Sequence, residues 1–183
     1  QSSQGFFVQA QSALTEVEFS NAMRAATSNA QFFKNAQKQQ LWLSLRKDST
    51  LSNQLLIGFL PDATFGRDRL YDALKFSGNP NLSFYSLLNS QAFGIQGFPR
   101  LRLSDFTVAL EAYAGLPGPY VITLDSLNQW DPSYQVWLED RQVDTLQILD
   151  LHPWYQFSIA QPDSLKNRFF LHFKKATGLG DQK

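Results

Sequence analysis

Five charged side chains and two aromatics fall within residues 65–75, FGRDRLYDALK, in a chain that is 17% charged overall. Residue types like these support three kinds of chemistry. Asp62, Asp68 and Asp72 could supply oxygens to a calcium ion, a hard cation that takes carboxylate and carbonyl ligands. Their spacing matches no EF-hand loop, and Arg67, Arg69 and Lys75 interleave with them. Positive neighbours favour ion pairing over metal binding, so calcium is the weaker reading and no other cofactor is implied. A carboxylate pair for glycoside hydrolysis is the second possibility, because two acids distant in sequence can face one another in space. Its candidates are Asp62, Asp68, Asp72, Glu139 and Asp140, with Asp72 and Glu139 as one such pair. Structural ion pairing is the third, and it needs no cleft.

Nucleophilic catalysis finds less to work with. The two histidines are His152, before a proline in a turn, and His172, on one face of the last apolar run. Neither sits near a G-x-S-x-G elbow. The chain has no cysteine, which removes thiol catalysis, thiolate metal sites and disulfides together. Walker, G-x-G-x-x-G and zinc patterns are absent. The expectation is a chain that is not an enzyme. Trp42, Trp130, Trp137 and Trp154 are candidates for a sugar-stacking platform; tryptophan is more often core packing.

The elements that must position these residues are strands. Leu41, Leu43 and Leu45 alternate with polar neighbours, and 120–126 (YVITLDS) repeats the pattern. In 134–140 (YQVWLED), Val136 and Leu138 oppose Trp137 and Glu139. Tyr155, Phe157 and Ile159 share one face, and Phe169, Leu171 and Phe173 share another, against Phe170, His172 and Lys174. Period-two alternation over short runs marks half-buried strands. Turn chemistry separates the runs at SGNPN (77–81), QGFP (96–99), GLPGP (115–119), NQWDP (128–132), HP (152–153) and QPD (161–163). The expectation is an all-β, antiparallel β-sandwich of jelly-roll type with at most one or two short helices. One helix candidate lies in 20–40, where Phe19, Met23, Ala26, Ala30 and Phe33 recur at roughly helical spacing. The 65–75 stretch supports a one- or two-turn helix or a tight loop.

Length and composition bound the rest. The 183 residues suffice for one domain with a substantial core. We expect that domain over 1–175, with 1–40 as a candidate accessory sub-region and 176–183 as the start of a linker. Sixteen basic and sixteen acidic residues cancel, which argues against a nucleic-acid surface. No run approaches the roughly 20 apolar residues of a membrane span. The chain opens on polar QSSQ rather than a signal peptide and reads as a mature fragment or excised module.

Four ordered stretches carry a likeness. They are QGFFVQA (4–10) with FSNAMR (19–24) and FFK (32–34); 56–87, containing PDATFGRDRLYDALK; VWLEDRQVDTLQIL (136–149); and 155–181, containing RFFLHF. Together they resemble the β-sandwich module that precedes the C-terminal sorting domain of Bacteroidetes surface proteins exported by type IX secretion. The positions that match are Gly5, Phe6, Phe7, Met23, Arg24, Asp68, Tyr71, Asp72, Ala73, Lys75, Leu138, Asp140, Arg168, Phe169, Leu171, His172 and Phe173. The resemblance implies an extracellular, cell-surface location and a linker and sorting domain following this region. It transfers no catalytic residue. Because the family keeps Asp, Tyr, Asp and Lys together, it also implies a structural clamp. In that clamp Tyr71 packs over the domain body, while Asp68 or Asp72 pairs with Lys75, Arg24 or a neighbouring backbone N–H. The function expected first is a structural or adhesive module presenting upstream domains. A module that binds glycan or surface polymer through aromatics comes second, and a hydrolase a distant third. Expected partners are the other domains of the parent protein, a glycan, or a second copy through an edge strand.

Overall fold

The computed structural model describes residues 38–176, apart from 77, 103 and 104, together with Ser12, Glu16, Glu18 and Ser20. The chain divides into two compact units, Gln1–Lys34 and Asn35–Lys183, and every strand below belongs to the second. Arg24 lies outside the described residues, as does the helix candidate apart from Ser20, Lys38, Gln39 and Gln40, of which Gln39 and Gln40 are already strand.

Eleven strands and no helix make up the described residues: β1 (Gln39–Arg46), β2 (Ser52–Leu60), β3 (Ala73–Leu74), β4 (Leu82–Leu88), β5 (Gln91–Pro99), β6 (Asp105–Ala114), β7 (Gly118–Asn128), β8 (Tyr134–Asp140), β9 (Thr145–Ile148), β10 (Trp154–Ile159) and β11 (Asp163–Lys175). The fold is all-β. The strands form one sheet in the order β10-β7-β1-β2-β5-β4-β6-β11-β8-β9, with β3 attached to β5. The sheet is mixed rather than wholly antiparallel, because β2 and β5 run parallel from Leu56 opposite Ile95 to Leu60 opposite Pro99. A parallel pair needs a long crossover. Here that crossover is the 61–90 segment, which carries the charged stretch, β3 and β4.

The alternating apolar residues point inward. Leu41, Leu43 and Leu45 of β1, Val136 and Leu138 of β8, and Phe169, Leu171 and Phe173 of β11 are all buried in one core. Rings from strands that are not neighbours meet across it. Phe59 of β2 lies 4.9 Å from Phe173 of β11, although three strands separate β2 from β11 along the sheet. Phe157 of β10 lies 5.0 Å from Phe169 of β11. Such contacts require the sheet to curl over itself into a nearly closed barrel. Its two end strands, β9 and β10, are bridged by Gln147, whose Nε2 donates to the carbonyls of His152 at 3.0 Å and Trp154 at 2.7 Å.

Two irregularities shape the walls. Trp42 pairs with Ser126 while Leu43 pairs with Leu124, which leaves Asp125 bulged from β7. Its carboxylate accepts from Ser44 Oγ, from Arg46 Nη2 at 2.7 Å and from Gln54 Nε2 at 2.7 Å. In β11, Leu165 pairs with Ala112 but Phe169 pairs with Leu110, so residues 166–168 oppose Glu111 alone. Asn167 takes the left-handed turn there, at φ 53°, a conformation Asn tolerates better than most residues. Bulges of this kind re-aim side chains, and this one sends Arg168 inward, where it is 7% exposed.

Candidate functional site

Residues 61–75 form a tight loop that ends in β3 and packs on β5. Its two acids point at backbone. Asp68 Oδ2 accepts from Thr64 N at 2.5 Å; Asp72 Oδ2 accepts from Asp68 N at 2.7 Å, and Asp72 Oδ1 accepts from Gly97 N at 2.7 Å. The Asp68 carbonyl in turn accepts from Tyr71 N and Asp72 N. Tyr71 lies so close over Gly97 that a Cβ there would sit 2.6 Å from Tyr71 Cβ, which explains a glycine in the middle of a strand. Lys75 turns away from both acids. Its Nζ donates to Asn53 Oδ1 at 2.7 Å, and the same oxygen accepts from Phe84 N at 3.2 Å. Burial lowers the Lys75 pKa from its ordinary value.

Those partners bear on the metal candidates. Asp68 and Asp72 direct their oxygens at N–H donors, and Asp62 stands exposed on the loop. Among the described residues, no group of three or more His, Asp or Glu gathers closely enough to hold a metal ion. Asp72 and Glu139 share no partner either: Asp72 is bonded to Asp68 N and Gly97 N, and Glu139 to Arg141 and His172.

The inward-turned Arg168 meets the other acid of interest. Its Nε and Nη2 donate to Asp140 Oδ1 and Oδ2 at 2.9 and 2.7 Å, a bidentate pair. Tyr155 Oη donates to Asp140 Oδ2 at 2.9 Å, and Gln142 N to Oδ1 at 3.0 Å. The guanidinium lies 4.7 and 4.8 Å from the Phe157 and Phe169 ring centres. Burial first, then the hydrogen bond to Asp140 and its negative charge, push the Tyr155 phenol up to about 12, with Arg168 opposing. This network ties β8, β11 and β10 together beneath the bridged ends of the sheet.

On the opposite, outer face of β6, β11 and β8 lies a relay that sequence reasoning did not assemble. His172 Nε2 is 2.9 Å from Glu139 Oε2, and its Nδ1 is 2.8 Å from Thr107 Oγ1. Arg141 Nε donates to Glu139 Oε1 at 3.1 Å. Burial alone would raise the Glu139 carboxyl, but the bonds from Arg141 and His172 outweigh it and hold the group below its ordinary value. Hydroxyl, imidazole and carboxylate in this order are the parts of an acyl-transfer relay. Their setting differs, because β11 is hydrogen-bonded along both edges and its N–H groups are committed to the ladder rather than aimed at an oxyanion. The arrangement is a cross-strand polar ladder.

The four tryptophans scatter. Trp130, after β7, packs against Phe59 and Phe173, and its Nε1 donates to the Tyr134 carbonyl at 2.8 Å. Trp137 is half-buried outside β8, with Lys174 Nζ 5.3 Å from its ring centre. Trp42 and Trp154 lie on the outer face on either side of β7, opposite Ser126 and Thr123. Trp154 is 57% exposed.

A cavity of about 650 Å³ opens at one end of the barrel, lined by Gln39, Phe59, Arg100, Leu101, Arg102, Gln129, Trp130, Asp131 and Pro132. Trp130, one of the sugar-stacking candidates, lines it, but sequence reasoning did not single out the two arginines. The available signal was PRLR (99–102), where two arginines flank a leucine just after a strand-ending proline.

A family model described as Domain of unknown function (DUF8693) matches residues 1–173. No curated protein and no solved structure matches the chain. The chain belongs to the DUF8693 family.

Proposed function

We propose that this chain is a non-catalytic structural and adhesive module of a secreted cell-surface protein, one that presents upstream domains ahead of a type IX sorting domain. The curled sheet is then a variant of the jelly-roll β-sandwich, in which β2 faces β11 and β10 faces β11 across one core. The observation that carries the reading is the buried Asp140–Arg168–Tyr155 network. It satisfies a buried charge pair with four hydrogen bonds and ties the end strand β10 to β8 and β11. A carboxylate and guanidinium committed in this way favour a body that keeps its shape over one that turns over substrate. The ordered motifs shared with the type IX modules support the extracellular location.

The test places the chain between a reporter domain and a type IX sorting tail in a Bacteroidetes host. The expected result is reporter held at the cell surface and intact to external protease. Retention inside the cell, or clipping within residues 38–176, would overturn the reading. A second reading, a glycan- or polymer-binding module, rests on Trp42 and Trp154 sharing one outer face. A glycan-array screen in calcium tests it. Saturable binding lost on Trp154→Ala would establish that reading, and a blank array would remove it.

A further inference from the structure

We infer that the cavity at the end of the barrel is a binding site for an acidic, carboxylate-bearing saccharide. It is separate from the exposed tryptophans and goes beyond the structural role. Three features of the lining select that chemistry. Arg100 and Arg102 are exposed, both line the cavity, and neither makes an ion pair or hydrogen bond among the described residues. The one acid in the lining, Asp131, accepts from Ser133 N and Oγ at 2.9 and 2.7 Å. The lining therefore holds two arginines against one aspartate, a positive excess in a chain of zero net charge. Guanidinium forks match the planar geometry of a carboxylate.

The second feature is Gln129, which lines the cavity. Its Oε1 accepts from Lys38 N at 3.0 Å, and its amide nitrogen makes no hydrogen bond among the described residues, so it remains as a donor to a ligand. The third feature is the adjoining apolar recess, which shares Arg100 and Arg102 and is walled by Phe65 and Phe106. Those two rings lie 5.5 Å apart, and Phe65 is 54% exposed.

A phosphate would satisfy the arginines but bring no apolar face to the recess. A neutral sugar would supply a hydroxyl acceptor to Gln129 and leave two arginines unpaired. An acidic sugar does both and lays a C–H face on the aromatic wall. The volume lies within the range of about 300–1,000 Å³ usual for small-ligand sites.

The test is calorimetric titration of the full chain with trigalacturonic acid, with its methyl ester, and with inorganic phosphate at matched ionic strength. Saturable binding of the acid is expected. The methyl ester and the Arg100→Ala/Arg102→Ala variant should each weaken it by about tenfold or more, the scale of a lost charge-assisted bond. Both arginines are exposed, so an unchanged melting curve will verify that the variant is folded. The inference fails if the acid gives no saturable heat, or if the ester or double variant binds equally well. Phosphate that displaces the saccharide at similar concentration would also overturn it, since the site would then read charge alone.

Discussion

Two of the aspartate clusters among the described residues use their carboxylates oppositely. Asp140 sits inside the barrel, 0% exposed, and gives its oxygens to a guanidinium, a phenol and one backbone N–H. Asp68 and Asp72 sit on the loop over β5 and give theirs to backbone N–H groups alone. In the first case a charge is balanced by a charge where water is excluded. In the second a loop is fixed in shape, and no cation is needed because water and peptide dipoles suffice. Surroundings rather than residue type decide whether an aspartate is half of an ion pair or a cap on a turn.

Removing one partner of the buried pair should separate the clusters most sharply. Asp140→Ala or Arg168→Ala leaves an uncompensated buried charge and should cost about 3–5 kcal/mol, read from the urea midpoint. Replacing both partners with apolar residues should cost much less, and an equal cost would mean that packing rather than charge holds the region. Gly97→Ala comes next. The new methyl would collide with Tyr71 Cβ at 2.6 Å, at about 1–3 kcal/mol as for other overpacking. Asp72→Ala strands two N–H groups, those of Asp68 and Gly97. Each unsatisfied donor costs about 1–3 kcal/mol when buried; Gly97 is buried in β5, while Asp68 is partly exposed on the loop, so the expected loss is mainly that of the Gly97 N–H. A melting temperature several degrees lower is expected, and an unchanged one would remove the clamp.

The clusters should also differ in alkali. The Tyr155 phenol is raised from 10.0 to about 12, so the fold favours its protonated form. That contribution is complete below pH 10 and is lost as pH rises from about 10 to about 12. Tyr155→Phe should flatten this part of the pH–stability curve, while Asp72→Ala should leave its shape unchanged. The smallest effect is expected at the outer ladder. His172→Ala should change stability by about 1 kcal/mol, near the upper end for surface polar pairs, because His172 and Glu139 are partly buried.

Much of the fold was legible in the sequence. LWLSLRK, YVITLDS, YQVWLED, YQFSIA and RFFLHFKK are β1, β7, β8, β10 and β11 with the expected faces buried, because period-two alternation is a local property. The parallel β2–β5 pairing was not legible, since nothing in LIGFL states which strand it will meet. At the charged stretch, the five charges announced a special loop. That Asp72 would reach Gly97 and Lys75 would reach Asn53 depends on register between distant strands. The Arg168–Asp140 pair had one faint signal. LKNRFF interrupts an apolar alternation with a turn-forming Asn167, and such an interruption within a strand marks a bulge. Thr107, His172 and Glu139 carried none, because each is an ordinary polar residue on the solvent side of a strand.

The central claim is that a nearly closed sheet is held at its ends by the Asp140 network. The most direct measurement is native-state hydrogen exchange of β9 and β10 in the wild-type chain and in Asp140→Asn. The account predicts that wild-type β10 exchanges as slowly as β1 and β2, only through global unfolding, and that Asp140→Asn releases β9 and β10 first. Fast exchange of β10 in the wild-type chain, or uniform loss of protection across all strands in the variant, would contradict it.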